Sequence, residues 1–345
     1  MPGDNIIKLN ILLILFGASL CACSNNVEKP ILLKEKELPE KTDSNLKSNR
    51  KSVPNDFKIA YNVSYDLATD NYEIFVMNSD GSEQRNISNH PGVDWVYYAY
   101  EDRLYFVSDR DSTSRKYFLY EMKWDGTEVR RVTDFLVHDS WMSSRKNGTE
   151  FIVNINKNDD FETRDLFIIN KDGKILSQLT DDDFQNTDAY FSPEGKQIVF
   201  RSNRSKYDEL YIINDDGSGL RQLTDYPQND SSARDWEYHA GPPQWVDSSR
   251  ISYISKQKSN YSIFSISPTG TGFEQLTPDS TTTGFLSNEG WHSWSKNDSF
   301  IVFNATNLIG NYDIYIMRSD ITDVRRLTKT DWYDQAPVFV YPKED

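Results

Sequence analysis

The feature that most constrains this chain is a seventeen-residue unit that occurs six times without a gap. The first copy, residues 72–88, reads Y-E-I-F-V-M-N-S-D-G-S-E-Q-R-N-I-S. The other five copies begin at Tyr117, Arg164, Asp208, Tyr261 and Tyr312. Each copy opens with an aromatic and aliphatic run, crosses a polar turn that is usually built on Asp-Gly, and closes on an aliphatic residue followed by Ser or Thr. Because glycine supplies the positive φ that a tight turn needs, each copy predicts a β-hairpin.

The spacing of the copies indicates how the hairpins are assembled. Successive copies start 45, 47, 44, 53 and 51 residues apart, the length typical of one propeller blade. Between hairpins the sequence predicts two more strands, best seen in residues 188–195 and 197–202. After the sixth hairpin one strand remains, residues 336–341, while residues 57–88 lack an inner strand. We therefore predict an all-β, six-bladed β-propeller of four-stranded antiparallel blades, closed by the C-terminal strand pairing with the N-terminal strands.

Composition and charge support an all-β fold and exclude one class of binding partner. Aromatic residues make up 13 % of the 345 residues, which suits an all-β protein. The formal net charge of -15 excludes a nucleic-acid partner, because phosphate binding needs a basic surface.

The N-terminus has the pattern of a targeting segment. Lys8 precedes an apolar run, residues 11–16, that is too short to span a bilayer, and small residues follow. Leu20-Cys21-Ala22-Cys23 resembles a bacterial lipobox, which implies acylation of Cys23, for example with palmitate; an ordinary secretory signal with a chance cysteine is the alternative. We predict a lipoprotein signal peptide over residues 1–22, lipidated Cys23 and a flexible tether over 23–55, and the propeller over 56–345.

Two stretches of the third cycle identify a family. Residues 190–204 (Y-F-S-P-E-G-K-Q-I-V-F-R-S-N-R) and 210–224 (L-Y-I-I-N-D-D-G-S-G-L-R-Q-L-T) resemble the repeat of TolB-like β-propellers, and the resemblance covers residues 57–341. It implies binding of partner proteins in the bacterial envelope. TolB-like proteins carry an α/β domain where we expect the tether, so a place in the Tol system itself does not follow. The same repeat occurs beside peptidase domains, but the sequence contains no G-x-S-x-G nucleophile motif.

Unusual residues gather in the predicted loops between blades, which surround the mouth of a propeller channel. Convergent aromatic and polar groups in a concavity predict a ligand site. The candidates are Asp94, Trp95, His138, Asp139, Trp141, Asp188, Asp235, Trp236, His239, Glu289, Trp291, His292, Trp332 and Asp334. A structural role is the alternative for each: tryptophans pack between blades, aspartates bond their own loops, and His292 fits an inner strand.

We expect no cofactor and no metal. Oligogalacturonate-lyase-like enzymes share the repeat, and that resemblance implies a divalent metal held by several histidines. Only His138, His239, His292 and Gln335 would be available for this, and no H-x-H or H-E-x-x-H pair occurs. The acidic loops at residues 109–111, 158–160 and 181–183 lack calcium-loop spacing and are interpreted as solvated turns.

These observations favour a membrane-anchored, non-catalytic binding protein of the cell envelope, at the outer membrane and facing either the periplasm or the exterior, that uses one propeller face to bind a protein segment or a glycan. We expect a monomer. The alternative is a glycan-degrading, metal-assisted enzyme in which Asp235 with His239, or Glu289 with His292, supplies acid and base at the mouth. A third hypothesis is that the protein acts only as a structural spacer in the envelope.

Overall fold

The computed structural model describes residues 53–65, 67–156, 163–225, 240–256, 260–277, 287–306 and 310–343. Within these ranges the chain forms β-strands and no helix, and therefore no helix that could cross a bilayer. The strands make six four-stranded antiparallel sheets, which are the blades of a propeller ring. The predicted fold class is confirmed.

Each blade runs from an inner strand to an outer strand. Blade 1 contains β24 (Tyr333–Val340), β1 (Lys58–Ser64), β2 (Glu73–Asn78) and β3 (Arg85–Asn86). Blade 2 contains β4 (Asp94–Tyr100), β5 (Arg103–Ser108), β6 (Phe118–Lys123) and β7 (Arg130–Arg131). Blade 3 contains β8 (Ser143–Arg145), β9 (Glu150–Asn156), β10 (Arg164–Asn170) and β11 (Ile175–Gln178).

The other three blades follow the same order. Blade 4 contains β12 (Asn186–Phe191), β13 (Gln197–Ser202), β14 (Glu209–Asn214) and β15 (Arg221–Gln222). Blade 5 contains β16 (Pro243–Asp247), β17 (Arg250–Lys256), β18 (Tyr261–Ile266) and β19 (Glu274–Gln275). Blade 6 contains β20 (Ser287–Trp294), β21 (Phe300–Thr306), β22 (Tyr312–Arg318) and β23 (Arg325–Arg326).

The ring closes as predicted, through the last strand of the chain. β24 pairs antiparallel with β1, so that Val338 lies opposite Ala60 and Val340 lies opposite Lys58. The strand begins at Tyr333, three residues earlier than predicted. Blade 1 is therefore built from both ends of the propeller sequence, and neither end leaves an unpaired inner edge.

The apolar core is divided among the six seams between neighbouring blades. At the seam of blades 6 and 1, for example, Phe57 packs edge-on against Phe339 with 4.9 Å between ring centroids, and Phe300 lies nearby. The other five clusters each join two adjacent blades in the same way. Because each blade buries both of its faces against neighbours, the strands are apolar on both sides.

The Ser or Thr that closes each repeat copy ties the outer strand to the third strand. Its hydroxyl accepts a hydrogen bond from the backbone N–H of the residue fourteen positions earlier. The six pairs are Ser88 with Ile74, Thr133 with Leu119, Thr180 with Leu166, Thr224 with Leu210, Thr277 with Ile263 and Thr328 with Ile314. The hydroxyl therefore satisfies a buried N–H just where the short outer strand ends.

The Asp-Gly turns are also where one blade approaches the previous one. Gly173 has φ of +81°, and a Cβ atom there would lie 2.0 Å from the backbone oxygen of Val132 in blade 2. In the sixth turn Ile321 adopts φ of 64° without glycine and packs in the cluster of blades 5 and 6. At position 173 glycine is therefore required by the seam as well as by the turn, whereas the sixth turn forms without it.

An asparagine at one position of the second strand bridges three of the blade seams. Asn62 accepts a hydrogen bond from Val96 N (2.7 Å) and donates one to Val96 O (3.1 Å) in the next inner strand. Asn154 donates to Asn186 O, and Asn304 accepts from Ala336 N at 3.2 Å. These amides join the second strand of one blade to the inner strand of the next blade.

Candidate functional site

The loops that join one blade to the next share a face with the starts of the inner and third strands; we call it the connection face. The Asp-Gly turns lie on the opposite hairpin face. The first residue of each repeat copy is next to, or at, the start of a third strand and so belongs to the connection face. In the first four copies this residue is Tyr72, Tyr117, Arg164 and Asp208, respectively.

Six side chains from blades 1 to 3 gather on the connection face, and we call them the mouth cluster. They are Tyr72, Arg115, Tyr117, His138, Asp139 and Arg164. Burial raises the pKa of both Tyr72 and Tyr117, and Asp139 and Arg115 act on both hydroxyl groups. Groups from three blades therefore share one electrostatic environment.

Asp139 is the one carboxylic acid of the mouth cluster, and its pKa is shifted. Its side chain retains 35 % exposure, yet lost hydration raises the pKa of Asp139 to about 6. Arg164 and Arg115 oppose this increase by favouring the carboxylate. Near neutral pH Asp139 is thus an anion that can exchange a proton with a bound molecule.

His138 lies beside Asp139, with 3.1 Å between Nε2 and Oδ1. Burial, and then the charges of Arg164 and Arg201, hold the pKa of His138 well below its usual range. The imidazole is therefore neutral at physiological pH. With its backbone N–H bonded to Asn154 O at 2.8 Å, His138 is fixed in place next to the carboxylate.

Aromatic side chains form the floor beneath the mouth cluster. Trp95 contacts Tyr72 (4.7 Å between centroids), stacks on Tyr97 (6.0 Å) and meets the edge of Trp291 from blade 6 (5.7 Å). Trp141 packs edge-on against Tyr97 at 5.8 Å. Trp95 and Trp291 remain half-buried, whereas Trp141 is buried at 4 % exposure. The predicted tryptophans of blades 2, 3 and 6 thus converge around the axis.

Asp188 is buried and connects blades 3 and 4. It adopts φ of 55°, and its Oδ1 accepts hydrogen bonds from Ser140 Oγ and Trp141 N, both at 3.2 Å. Its Oδ2 accepts from Arg201 Nε at 2.7 Å, and Arg201 also donates to Asp208 at 2.8 Å. Asp188 therefore supports the wall of the mouth and holds the chain beside Asp139 in place.

Three further predicted residues are buried in inner strands. Asp94 is fully buried, and its Oδ2 accepts from Arg110 Nη2 at 2.6 Å. His292 lies 2.7 Å from Ser252 Oγ through Nε2, and burial lowers the pKa of His292 to about 3. Glu289 is 2 % exposed. The structure thus gives Asp94 and His292 internal partners in place of a position on the mouth surface.

Trp332 and Asp334 lie in the ring-closing segment but in opposite environments. Trp332 is 37 % exposed and meets the ring of Tyr65 edge-on at 4.8 Å. Asp334 is fully buried, with Oδ2 accepting from Thr330 Oγ1 at 3.0 Å. Burial, with the neighbouring Asp313, raises the pKa of Asp334 to about 6.

The raised pKa of Asp334 predicts that this residue makes stability fall as the pH rises. The pKa shift from 3.8 to about 6 means that the folded state favours the protonated carboxyl more strongly than the unfolded state does. Its stabilising contribution is complete below about pH 4 and is lost as the pH rises through about 6. Asp334→Asn, which resembles the protonated acid, is expected to raise the free energy of unfolding by up to about 3 kcal/mol at about pH 8 and to change it little at about pH 4.

Urea unfolding of both proteins at the two pH values measures this difference. Asp216→Asn is the control of opposite sign, because the Ser218 hydroxyl and backbone N–H lower the pKa of that exposed carboxyl. A stability difference for Asp334→Asn that is the same at both pH values would contradict the prediction.

The remaining predicted residues lie outside the described ranges. They are Cys23, Asp235, Trp236 and His239. Within the described ranges no group of three His, Cys, Asp or Glu side chains is arranged to hold a metal ion.

Four residues of the mouth cluster are absent from the sequence-based candidates: Tyr72, Arg115, Tyr117 and Arg164. For three of them a signal exists, because the first position of a repeat copy carries Tyr or a charged residue ahead of the aliphatic run. Arg115 has no such signal. It reaches the cluster from the loop before β6, where its Nε donates to Asp70 Oδ2 at 2.6 Å.

The fold and the mouth cluster together define a six-bladed β-propeller with a cluster of polar side chains on its connection face. Among solved structures, the chain is similar to TolB from Acinetobacter baumannii, with 16 % identity, a TM-score of 0.64 and coverage of 84 % of this chain and 68 % of that one. A putative TolB from Agrobacterium tumefaciens gives 13 % identity, a TM-score of 0.55 and coverage of 81 % and 91 %.

A similar fold occurs in an enzyme. An oligogalacturonate lyase in complex with manganese gives 13 % identity, a TM-score of 0.51 and coverage of 75 % of this chain and 71 % of that one. No protein-family model and no curated protein sequence matches the chain. The similarities show a TolB-like β-propeller fold, as the repeat predicts, and at these identities they show the fold alone.

Proposed function

We propose that the chain is a membrane-anchored, non-catalytic binding protein of the cell envelope, and that the mouth cluster binds a protein segment or a glycan. The anchor rests on the lipobox-like residues that end at Cys23, and the tether on the composition of residues 24–55. The TolB-like fold supports a place in the envelope. The tether would let the propeller reach its ligand at a distance from the membrane surface.

The observation that carries the proposal is the pairing of charges at the mouth above an aromatic floor. Arg115 is 54 % exposed and Asp139 and Asp70 are each 35 % exposed, so both signs of charge are available to a ligand. Arg115 is already oriented by its hydrogen bond to Asp70. Preorganised polar groups beside half-buried Trp95 and Trp291 favour recognition, because little side-chain freedom is lost on binding.

The test is a binding titration of the full-length chain against two separate probes: protease-treated envelope glycan and a detergent extract of envelope proteins, each immobilised. We expect saturable binding to one of them, and Arg115→Ala with Asp139→Asn should raise its Kd about tenfold or more. The matched control is Lys196→Ala with Glu194→Gln on the hairpin face, where both side chains are exposed. Absence of saturable binding to both probes, or equal binding by the two double variants, would contradict the proposal.

A glycan-degrading enzyme is the second candidate, and one observation favours it. The neutral imidazole of His138 lies 3.1 Å from Asp139, with Arg164 and Arg115 acting on that carboxyl. A neutral base beside arginines suits proton abstraction from a sugar acid. Incubation with a polyuronide, with and without a divalent metal, separates the two functions. Product formed by the wild type but not by His138→Ala would favour the enzyme.

A further inference from the structure

The outer strand of blade 3 differs from the outer strands of the other five blades. Those five strands contain two residues each, and every one includes a charged residue: Arg85–Asn86, Arg130–Arg131, Arg221–Gln222, Glu274–Gln275 and Arg325–Arg326. β11 contains four residues, Ile175, Leu176, Ser177 and Gln178, and none is charged. The six blades therefore provide an internal comparison.

This difference removes the protection that an edge strand normally has. Outer strands direct half of their backbone N–H and C=O groups away from the sheet, and short length and charged side chains keep other strands from pairing with them. Arg85 and Arg130 also cross a seam, where they donate to Asp125 O (3.1 Å) and Lys171 O (3.1 Å) of the next blade. Ser177 stands at the corresponding position of β11 and has no guanidinium to place there.

The edge of blade 3 also exposes one more aliphatic side chain than the edge of blade 4. Ile175 is 43 % exposed and Leu176 is 47 % exposed, and a shift in pairing register next to Ile169 places both on the outer side. Leu220 occupies the equivalent position in blade 4 and is 43 % exposed, so one exposed aliphatic residue is a property of the repeat. A second exposed aliphatic residue on a longer, uncharged strand is what distinguishes blade 3 from blade 4.

The charges at the two ends of β11 indicate what pairs with it. Lys171, Asp172 and Lys174 are exposed at its start, and Asp181 and Asp183 are exposed just beyond its end. The start of the strand therefore carries a net positive charge, its middle is apolar, and the segment beyond its end is acidic. An antiparallel second copy would place its acidic end against the basic end of the first, whereas a parallel copy would bring like charges together.

We propose that the outer edge of blade 3 is a dimer interface, in which β11 of two copies pairs antiparallel about a two-fold axis and joins two blades into one continuous sheet. Such a contact is self-complementary, as two-fold symmetry requires. Backbone hydrogen bonds and the aliphatic pair supply the attraction, and the end charges set the register. A net charge of -15 on each copy opposes association at long range, so the dimer is concentration-dependent. This departs from the monomer that the sequence predicts.

Sedimentation equilibrium of the full-length chain tests the interface. A Cys23→Ser background prevents self-association through the predicted acyl chains. We expect a reversible dimer, and Leu176→Glu should raise its Kd about tenfold or more, because the carboxylate would lose hydration where the two edge strands pair. Leu220→Glu is the matched control and should leave the Kd unchanged. A chain that stays monomeric at all concentrations, or an equal effect of the two substitutions, would overturn the proposal.

Reversing the charges at the two ends of β11 provides a second measurement, and a folding defect would not produce the same result. Lys171→Glu with Lys174→Glu should weaken the dimer, since acidic ends would then meet acidic ends. Asp181→Lys with Asp183→Lys should weaken it in the same way. All four substitutions together should restore association, because the strand then reads acidic, apolar, basic and again complements an antiparallel copy. If the fourfold variant associates no better than either double variant, the antiparallel pairing is wrong.

Discussion

Removal of residues 336–345 is expected to abolish folding of the whole propeller. The deletion takes away most of β24, including Val338 (4 % exposed), Phe339 (6 %) and Val340 (0 %), and leaves residues 58–60 of β1 without their inner partners. Burial of such side chains contributes about 2 kcal/mol each. Their loss alone, at about 6 kcal/mol, reaches the range of the total stability of most domains. The seam of blades 6 and 1 also loses the ring contact between Phe57 and Phe339.

Deletion of residues 343–345 is the control. It removes the exposed ion pair of Lys343 with Glu101 (2.7 Å) and leaves β24 complete, so its thermal midpoint should stay close to that of the wild type. Thermal melts followed by circular dichroism compare the three proteins. A chain without residues 336–345 that melts cooperatively at the wild-type temperature would show that the ring does not depend on its closing strand.

Gly173→Ala is expected to lower the free energy of unfolding by about 3 kcal/mol, through two separate effects. Alanine at φ of +81° is strained, and its Cβ would lie 2.0 Å from Val132 O in blade 2, so the seam of blades 2 and 3 must open. Backbone at that seam cannot rotate away as a flexible side chain would. The mutation therefore changes the packing between two blades and not only the turn.

Gly270→Ala separates the two effects. Its φ is +84°, but the nearest atom, Leu223 O, would be 3.5 Å from the new Cβ. This variant should lose only the conformational contribution, about 1 kcal/mol. Urea unfolding of both variants gives the comparison. Equal losses would mean that the turn conformation alone requires glycine and that the blade seam does not.

Local patterns were sufficient to predict the repeating part of the fold. The predicted strand at residues 197–202 coincides with β13, Gln197–Ser202. Hairpins follow from Asp-Gly turns and apolar runs, which act within a few residues of each other. The closure of the ring was also predictable from the sequence. The last strand had no neighbours and the first blade had no inner strand, so the two were expected to pair.

The candidate site was predictable only in part. His138 and Asp139 were predicted from their loop, and the structure places them beside Arg115 and Arg164. Trp141 and Trp332 occupy comparable loops, yet the first is buried at 4 % exposure and the second is 37 % exposed. The difference arises from neighbours in other blades, which packing around the ring selects. Arg115 joins the cluster by the same kind of distant contact.

By itself, the sequence determined the number of blades, the hairpin within each blade and the strand that closes the ring, because these depend on turn residues and apolar periodicity that act locally. Only the tertiary structure decided that Asp94, His292 and Asp334 are buried while Asp139 stays accessible. The physical reason is that the hydration and charge around a side chain depend on residues brought next to it by the circular arrangement of six sheets.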